Sequence, residues 1–305
     1  MKNNLKYDLN NYAKSLKREM IDESHFYDFR QNIFGKEMDE RFEKMFLEGD
    51  GNELVSKACA VHSSSMLGYN FFHWISKDNP LTFRFPSEDN TKKENEIKYT
   101  SVLFEVKIRV LKGRARPANM DIVLTNENKD VLFIESKFLE YLVHQDFSIS
   151  ESYNRNSSYY CSGEQWVDFI NEFIKLLKNN KERHYWDGIK QEICHMIGLN
   201  NWAKQVDIEK PIIMNDKIPS FDKANDIHFI NLVFEPNTKY QEEHKAFTDY
   251  KKRYEYLQGL EKEFFPRKIK MHFMSYSEIW PYIQAGICPK LEDYLRNRYI
   301  NFAEL

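Results

Sequence analysis

The chain has 305 residues and a mass of 36.8 kDa, which is enough for one elaborated domain or two ordinary ones. Hydrophobic residues make up 42% and aromatic residues 15%, which excludes a disordered, collagen-like or low-complexity chain. The net charge of −3 and a pI of about 6.3 exclude bulk positive charge, so a polyanionic partner must be held by a local basic patch.

Cysteine usage and the amino-terminal residues indicate a cytoplasmic protein. The four cysteines lie far apart without a CxxC pair, which argues against a zinc site of the usual spacing and against a disulfide-rich secreted scaffold. Residues 1–20 contain no apolar signal region, and no stretch approaches the roughly 18 apolar residues of a membrane span. We therefore expect a protein of the reducing cytoplasm without a membrane partner.

Helical spacing dominates the first part of the chain. Between residues 1 and 50, apolar side chains recur at three- and four-residue steps, which predicts an amphipathic helical segment. After an Asp-Gly break, the same spacing predicts a helix from Glu53 to Trp74. The segment 77–99 contains two prolines and a charged run, which is typical of a solvated loop.

Three strand candidates follow, at 101–110, 118–124 and 130–138. The short connections between them favour neighbouring antiparallel strands. Later patterns predict helices alternating with two more strands. These are helices at 164–178, 185–197 and 238–263, strands at 227–234 and 269–275, and closing helices after Ser277 and after Pro289.

The resulting order is helix, three-stranded antiparallel meander, helices, strand, helix, strand. It predicts an α/β protein. No internal repeat, coiled-coil heptad or clear linker divides the chain. One α/β domain with helical additions at both ends is therefore favoured over two domains.

Charged residues interrupt two of the strand candidates. Asp121 lies inside an apolar strand, and Glu135 and Lys137 lie near the end of the next one, where they share a face. If the intervening turn pairs Thr125 with Val131, Asp121 stands opposite Glu135, with Cβ atoms roughly 5 Å apart. Charges among core-type residues need a partner, a metal or a chemical role.

Two carboxylates at that separation repel each other unless a cation lies between them. Oxygen ligands with open positions suit Mg²⁺, with Mn²⁺ as a substitute, and such a site activates water against a phosphodiester. Lys137 would orient or deprotonate that water, or neutralise charge on the phosphoryl oxygens. The alternative is a solvated sheet face on which Glu135 and Lys137 form a surface ion pair.

The preceding strand offers a further carboxylate. Glu105 shares a face with Lys107 and Arg109, and a turn at Gly113 would bring it alongside Asp121 as a third metal ligand. A surface ion pair with its basic neighbours is the alternative for Glu105. The basic run that leads into the Asp121 strand would track a phosphate backbone or form an ordinary hairpin tip. Its members are Lys107, Arg109, Lys112, Arg114 and Arg116.

These motifs resemble the PD-(D/E)XK nuclease superfamily. An aspartate on one strand, a turn and an apolar strand ending in Glu-x-Lys match its motif at Asp121, Glu135 and Lys137. The wider string GNEL, HSSSMLGYNFF, FEVKI, ANMDIVL and FIESKFLEYL is similar to a bacterial family of restriction endonucleases. The resemblance implies a restriction-endonuclease-like core of helix, three-stranded antiparallel meander, helix and further strand at 53–234. The flanks would be a helical extension at 1–52 and a helix-strand-helix addition packed on the core at 235–305.

The motif departs from the family in one position, because Met120 rather than proline precedes Asp121. Two further roles are implied by the resemblance alone. Glu53 matches an acidic residue that many such nucleases place on the first helix, but its position is better explained as a first-turn carboxylate that the helix dipole favours. Gln191 matches a glutamine on the helix after the lysine strand.

Other polar side chains are weaker candidates. Serines inside a helix usually permit close packing rather than phosphate contact, and a histidine is more often a core or surface residue than a ligand. Tyrosines that follow the motif would stack on nucleic acid or fill the core. These residues are Ser63, Ser64, Ser65, His144, His195, Tyr141, Tyr153, Tyr159 and Tyr160.

We therefore expect a Mg²⁺-dependent DNA endonuclease that hydrolyses phosphodiester bonds. A restriction or phage-defence role is what the resemblance implies. A repair or recombination nuclease with the same fold stays open, as does a non-catalytic nucleic-acid-binding module. Cutting both strands at a symmetric site would favour a homodimer. The chain has no GxxxxGK[ST] loop, which argues against a nucleotide-driven enzyme.

Overall fold

A computed structural model of the chain shows a mixed α/β protein, which confirms the predicted α/β class. Its restriction-endonuclease-like type and the three-part division of the chain stay predictions. The structure describes residues 4–49, 54–85, 95–113, 116–142, 151–153, 156–157, 167–169, 171, 189–206, 211–264 and 268–304.

A five-stranded sheet in the order β3-β4-β5-β6-β7 forms the centre. The first three strands are an antiparallel meander, and β6 and β7 are added parallel to β5. All five strands were predicted, with boundaries shifted by a few residues at most. They are β3 (Ser101–Ile108), β4 (Ala118–Thr125), β5 (Val131–Lys137), β6 (Ile227–Val233) and β7 (Ile269–Ser275).

A separate two-stranded hairpin precedes this sheet. It consists of β1 (Leu81–Phe85) and β2 (Asn95–Tyr99), so the prediction of a solvated loop over 77–99 is wrong in both of these parts. The alternating residues Leu81, Phe83 and Phe85 are buried, which explains why this stretch pairs as a strand.

Helices cover both faces of the sheet. The prediction of a helix over 185–197 corresponds to a longer helix, and the predicted helix at 164–178 lies largely outside the described residues. The helices are α1 (Leu5–Ser15), α2 (Glu40–Glu48), α3 (Ser64–Phe72), α4 (Ile189–Ala203), α5 (Gln241–Phe264), α6 (Tyr276–Gln284) and α7 (Pro289–Arg298).

The long amino-terminal helical segment is interrupted. Between α1 and α2 the chain forms short 3₁₀ turns, and Lys17, Gly35 and Lys36 have φ values of 53°, 71° and 62°, which no α-helix contains. The prediction of continuous helical structure over residues 1–50 is therefore only partly right.

The predicted helix from Glu53 to Trp74 is also shorter than expected. Only its second half is α3, which begins after Ser63, whose Oγ accepts a hydrogen bond from the Met66 N–H at 3.3 Å. Before α3, the side-chain amide of Asn32 donates hydrogen bonds to the carbonyl oxygens of Ala58 and Ala60, at 2.7 and 2.6 Å. These distant partners use carbonyls that a longer helix would have needed.

Two hydrophobic cores lie on the two faces of the sheet. The first core contains residues of α1, α2, α3, α6 and α7, and the second contains residues of α4 and α5. Glycines allow close approach on each face, because a Cβ at Gly68 would lie 2.9 Å from Ile122 Cδ1, and one at Gly198 would lie 2.4 Å from Ile108 Cγ2. In the described ranges, no helix is long and apolar enough to cross a membrane.

Candidate active site

The predicted acidic pair lies where the ladder between β4 and β5 ends. The expected pairing of Thr125 with Val131 is confirmed, and Asp121 and Glu135 follow the last pair of this ladder. The Ser136 backbone N–H donates a hydrogen bond to Asp121 Oδ2 at 2.8 Å. The Asp121 carboxylate is therefore held at the end of β5, beside the Glu135 strand segment.

An irregularity in β3 and β4 accompanies Asp121. Glu105 lies opposite Asp121 between two regular pairs, and its φ of 52° is in the left-handed region. The immediate neighbours of this pair face the first core on one side and the second core on the other, so the alternation of both strands reverses here. The flanking residues are Phe104 and Ile122 on the first face, and Val106 and Met120 on the second.

Lys137 is buried beside Glu135 and binds two partners through its ammonium. Nζ donates to Glu135 Oε1 and to Gln191 Oε1, the latter at 2.8 Å. Burial alone would lower the pKa of Lys137, but the carboxylates around it, Glu135 first and then Asp121, outweigh burial and raise this pKa. Lys137 is therefore a fixed positive charge within the acidic pair.

The two carboxylates are held in surroundings that disfavour their charge. Burial raises the pKa of Asp121 to about 8, with the Glu135 carboxylate adding to the shift and the Lys137 ammonium opposing it. Burial also raises the pKa of Glu135, again against the effect of Lys137. One lysine therefore compensates the pair incompletely, and a further cation would favour the ionised form of both groups.

Helix α4 contributes a histidine that the sequence had suggested only as a weak candidate. His195 Nε2 lies 2.9 Å from the Asn119 carbonyl oxygen, and Nδ1 lies 3.1 Å from Glu135 Oε2. Burial lowers the pKa of His195 to about 4, so the ring is neutral near pH 7. With its proton on Nε2, the ring turns the Nδ1 lone pair towards Glu135.

The residues present fit a hard divalent cation. Within the residues that the structure describes, neither Glu135 Oε2 nor His195 Nδ1 has a hydrogen-bond partner, although both are buried. Carboxylate oxygens are the donors that Mg²⁺ prefers. Among the same residues, no group of three or more His, Cys, Asp and Glu side chains is arranged to hold a metal. Asp121 and Glu135 would thus leave positions for water and phosphate.

A carboxylate of α4 is also buried at this site. Glu192 is fully buried, and its pKa is raised well above the ordinary value by burial and by the Glu135 charge. The Lys137 ammonium and the Tyr254 hydroxyl act against this shift. Gln191, Glu192 and His195 occupy positions i, i+1 and i+4 of one helix, so helical spacing groups their side chains, but it does not say that this side of α4 meets β5.

The structure separates the members of the predicted basic run. Lys112 and Arg116 are exposed and Lys107 is half-buried, whereas Arg114 lies outside the described residues. Arg109 is only 9% exposed, and its Nη2 lies 3.4 Å from Met214 Sδ. The idea that Arg109 belongs to an exposed basic hairpin therefore needs correction, because packing against the 212–214 segment buries it.

The two further acidic candidates, Glu105 and Glu53, have different outcomes. Glu105 is half-buried, and a Cβ on Gly49 would lie 3.2 Å from Glu105 Cβ, so its side chain lies beside the end of α2. Glu53 lies outside the described residues. Neither position adds a ligand to the acidic pair in the part of the chain that is described.

The weaker candidates divide between core positions and the undescribed part of the chain. Tyr141 is a core residue whose hydroxyl donates to the Phe234 carbonyl at 2.9 Å, so its suggested nucleic-acid contact is wrong. Tyr153 is half-buried against Cys194, with Oη 3.2 Å from Sγ. Ser65 is buried in α3. His144, Tyr159 and Tyr160 lie outside the described residues.

Comparisons with known proteins identify the family. None of the curated proteins and none of the solved structures that were compared matches the chain. A family model does match, over residues 2–300, and it is described as "Restriction Endonuclease associating with ARP". The match confirms the resemblance to a restriction endonuclease family that the motif strings suggested, and it spans nearly the whole sequence. The chain therefore belongs to this restriction endonuclease family.

Proposed function

We propose that the protein is a Mg²⁺-dependent DNA endonuclease with its active centre at Asp121, Glu135 and Lys137. The observation that carries this proposal is the arrangement of two carboxylates, the half-buried Asp121 and the fully buried Glu135, around the buried Lys137 ammonium where the ladder between β4 and β5 ends. Such a concentration of perturbed titratable groups is typical of active sites. Membership of a restriction endonuclease family supports the reaction and DNA as the substrate.

Asp121 and Glu135 would hold the ion, because their oxygens are hard donors and are incompletely compensated by Lys137. The chemistry that Mg²⁺ supplies in such a position is activation of water against a phosphodiester and stabilisation of the departing oxygen. Mn²⁺ is expected to substitute, since it accepts the same ligands.

The chain's own residues would position the reacting groups. The Ser136 N–H orients Asp121, and Gln191 together with Glu135 fixes the Lys137 ammonium. Lys137 would orient the attacking water and stabilise negative charge that develops on the phosphoryl oxygens. Preorganised charge of this kind acts strongly here because the side chains are withdrawn from solvent.

The exposed basic residues before β4 would hold the DNA backbone. Lys112 and Arg116 are exposed near the start of the strand that carries Asp121. Contacts from such side chains to phosphates supply affinity without sequence selectivity. The family description favours a restriction role, and phage defence in a prokaryotic cytoplasm is the setting that we propose for it.

A cleavage assay with purified protein tests this proposal. With Mg²⁺ or Mn²⁺ present, Asp121→Asn and Lys137→Met should each lower the DNA cleavage rate by at least about 100-fold, as loss of a transition-state contact does. Matched controls are Glu127→Gln and Lys77→Met, because these residues form an ion pair that is about three-quarters exposed. The controls should cleave at the unmodified rate.

The choice of substrate separates the two nuclease roles. Cleavage of both linear and circular duplex at defined positions supports the restriction type. Cleavage confined to branched or flap substrates would instead assign a structure-specific repair nuclease. Equal cleavage rates for Asp121→Asn, Lys137→Met and the unmodified protein would rule out this active centre.

A further inference from the structure

A cavity of about 390 Å³ lies on the first-core side of the sheet, next to the carboxylate site. This volume is within the range of small-ligand sites, about 300–1,000 Å³. It opens at the start of α3 and at the end of β5. The lining side chains that matter for its chemistry are His25, Lys57, His62, Ser63, Ser64 and Glu140.

Nitrogen bases predominate among these side chains. Lys57 is exposed at the rim, and His25 is oriented by Asp22, whose carboxylate oxygens lie 3.0 Å from His25 Nδ1. His62 Nδ1 is buried and has no hydrogen-bond partner in the described part of the chain. Burial of a nitrogen without a hydrogen bond costs free energy, unless a ligand or a water molecule supplies the missing partner.

Among the described residues, the lining contains one carboxylate, Glu140, and it is partly engaged elsewhere. Glu140 Oε2 accepts a hydrogen bond from the Phe138 N–H at 2.6 Å, which holds this oxygen at the end of β5. Ser63 Oγ already accepts from the Met66 N–H, so the proton of its hydroxyl is left to donate. The cavity therefore combines one ammonium, two imidazoles and a hydroxyl donor against one partly occupied carboxylate.

The cavity shares a wall with the carboxylate site. The Ser64 carbonyl oxygen accepts a hydrogen bond from Ser136 Oγ at 3.2 Å, and the Ser136 N–H donates to Asp121. Glu140 is also close enough to Lys137 and Glu135 to influence the pKa of both groups. Ser136 therefore connects the Asp121 carboxylate with the start of α3, which lines the cavity.

We propose that this cavity binds a phosphate group of a nucleic-acid strand, next to the phosphate that is cut at Asp121, Glu135 and Lys137. The assignment of the neighbouring phosphate rests on the proposed nuclease function. The Lys57 ammonium supplies a charge-assisted donor, which phosphate oxygens accept strongly. Burial lowers the pKa of His62 to about 4, so its ring is neutral near pH 7 and offers an uncharged hydrogen bond, as the Ser63 hydroxyl does. The phosphate is either the terminal group of a strand or an internal phosphodiester.

Binding measured without divalent cations tests the cavity separately from catalysis. Inorganic phosphate is titrated into the full-length protein by calorimetry, and 5′-phosphorylated and 5′-hydroxyl duplexes are compared by fluorescence anisotropy at fixed salt. The test variants are Lys57→Glu, whose site is exposed, and His62→Gln. Lys44→Glu is the matched control, because Lys44 is exposed on α2 and outside the cavity lining.

The expected result is saturable phosphate binding that weakens about tenfold or more in Lys57→Glu and His62→Gln and is unchanged in Lys44→Glu. A preference for the 5′-phosphorylated duplex that Lys57→Glu abolishes assigns a terminal phosphate. Equal affinity for the two duplexes, weakened alike by Lys57→Glu, assigns an internal phosphate.

Two other results would overturn the cavity proposal: no saturable heat with phosphate, or the same affinity in both test variants as in the unmodified protein. The nuclease proposal can fail on its own. Phosphate binding that depends on Lys57, in a protein that cleaves no DNA with Mg²⁺ or Mn²⁺, would keep the phosphate site and remove the catalytic assignment. DNA cleavage by a protein that binds no phosphate saturably would keep the catalytic assignment and remove the phosphate site.

Discussion

The buried His228 on β6 and the half-buried His272 on β7 form a pair, with Nδ1 of the first 2.9 Å from Nε2 of the second. The Phe85 ring stacks on His228, with ring centroids 3.5 Å apart. Burial lowers the pKa of His228 to about 2, with His272 and Lys270 adding to the shift. Burial likewise lowers the pKa of His272 to about 4. Both rings are therefore neutral in the folded protein near pH 7.

This pair makes folding sensitive to acid. An unfolded histidine titrates near about 6.5, so below that pH the unfolded chain binds protons that the folded chain excludes. Stability should fall as the pH drops from about 6.5 to about 4. Each such histidine contributes a slope of at most about 1.4 kcal/mol per pH unit. Urea unfolding at several pH values measures the slope of the free energy of unfolding against pH. His228→Phe should reduce this slope by about the contribution of one histidine.

A packing variant provides the control for this experiment. Phe85→Leu removes the ring that stacks on His228 but no titratable group. Phe85→Leu should lower the free energy of unfolding at every pH. It should leave the dependence of this free energy on pH as steep as in the unmodified protein. An unchanged slope in His228→Phe would mean that His228 takes up a proton in the folded state as readily as in the unfolded state.

At the scale of elements, the position of α4 determines the polar side of the candidate active site. Gly198 lets this helix approach β3 closely, because an added Cβ would lie 2.4 Å from Ile108 Cγ2. Ile108 is fully buried and branched at Cβ, so it has little freedom to move away. The same helix carries Gln191, which binds Lys137, and His195, which faces Glu135.

Gly198→Ala should therefore displace α4 and disturb the site together with the fold. Overpacking of this kind costs about 1–3 kcal/mol, against which the better helix propensity of alanine returns about 1 kcal/mol. Displaced polar groups should lower the cleavage rate about ten- to hundredfold. Thermal unfolding and the cleavage assay measure the two effects.

Gly259→Ala is the matched control, because in the described part of the chain no atom outside the adjoining backbone of α5 lies within 4 Å of a Cβ added at that glycine. It should raise the free energy of unfolding by up to about 1 kcal/mol and leave cleavage unchanged. A fully active, stable Gly198→Ala variant would contradict the tight packing of α4 on β3.

What the sequence could predict depends on how local the determining interactions are. The strands and the position of Asp121 relative to Glu135 were predictable, because side-chain alternation and a short turn set the register. The start of α3 could not be predicted, because it depends on hydrogen bonds that Asn32, far away along the chain, donates to the carbonyl oxygens of Ala58 and Ala60. Gln191 was suggested by family resemblance alone, because periodicity does not reveal which face of α4 meets β5.

At the scale of the whole molecule, one buried arginine joins the two ends of the chain. Arg298 at the end of α7 is 2% exposed and donates to Asn32 Oδ1 and, at 3.3 Å, to the Val61 carbonyl oxygen. Its guanidinium also lies 5.4 Å from the centre of the Phe26 ring. The amino-terminal segment, the approach to α3 and the last helix are thus packed together around one charge.

Arg298→Met should destabilise the entire protein. The substitution leaves the Asn32 and Val61 acceptors buried without their donor, and each such loss costs about 1–3 kcal/mol. We expect a decrease of about 2–5 kcal/mol in the free energy of unfolding, measured by denaturant titration. Arg296→Met is the control, because that arginine is partly exposed and pairs with Glu292, so its loss should cost less than about 1 kcal/mol. Equal stability of the two variants would contradict the joining role of Arg298.

The left-handed backbone at Glu105 has a consequence for how this chain balances stability against position. A residue with a side chain, other than asparagine or aspartate, is disfavoured in that conformation by about 1–2 kcal/mol, and glycine would relieve the strain. The chain instead keeps a carboxylate there, opposite Asp121 and at the point where the alternation of two strands reverses. Stored strain of this sort collects at sites where geometry matters more than fold stability. The sequence that would give this protein its highest stability is accordingly not the one that would give it its highest activity.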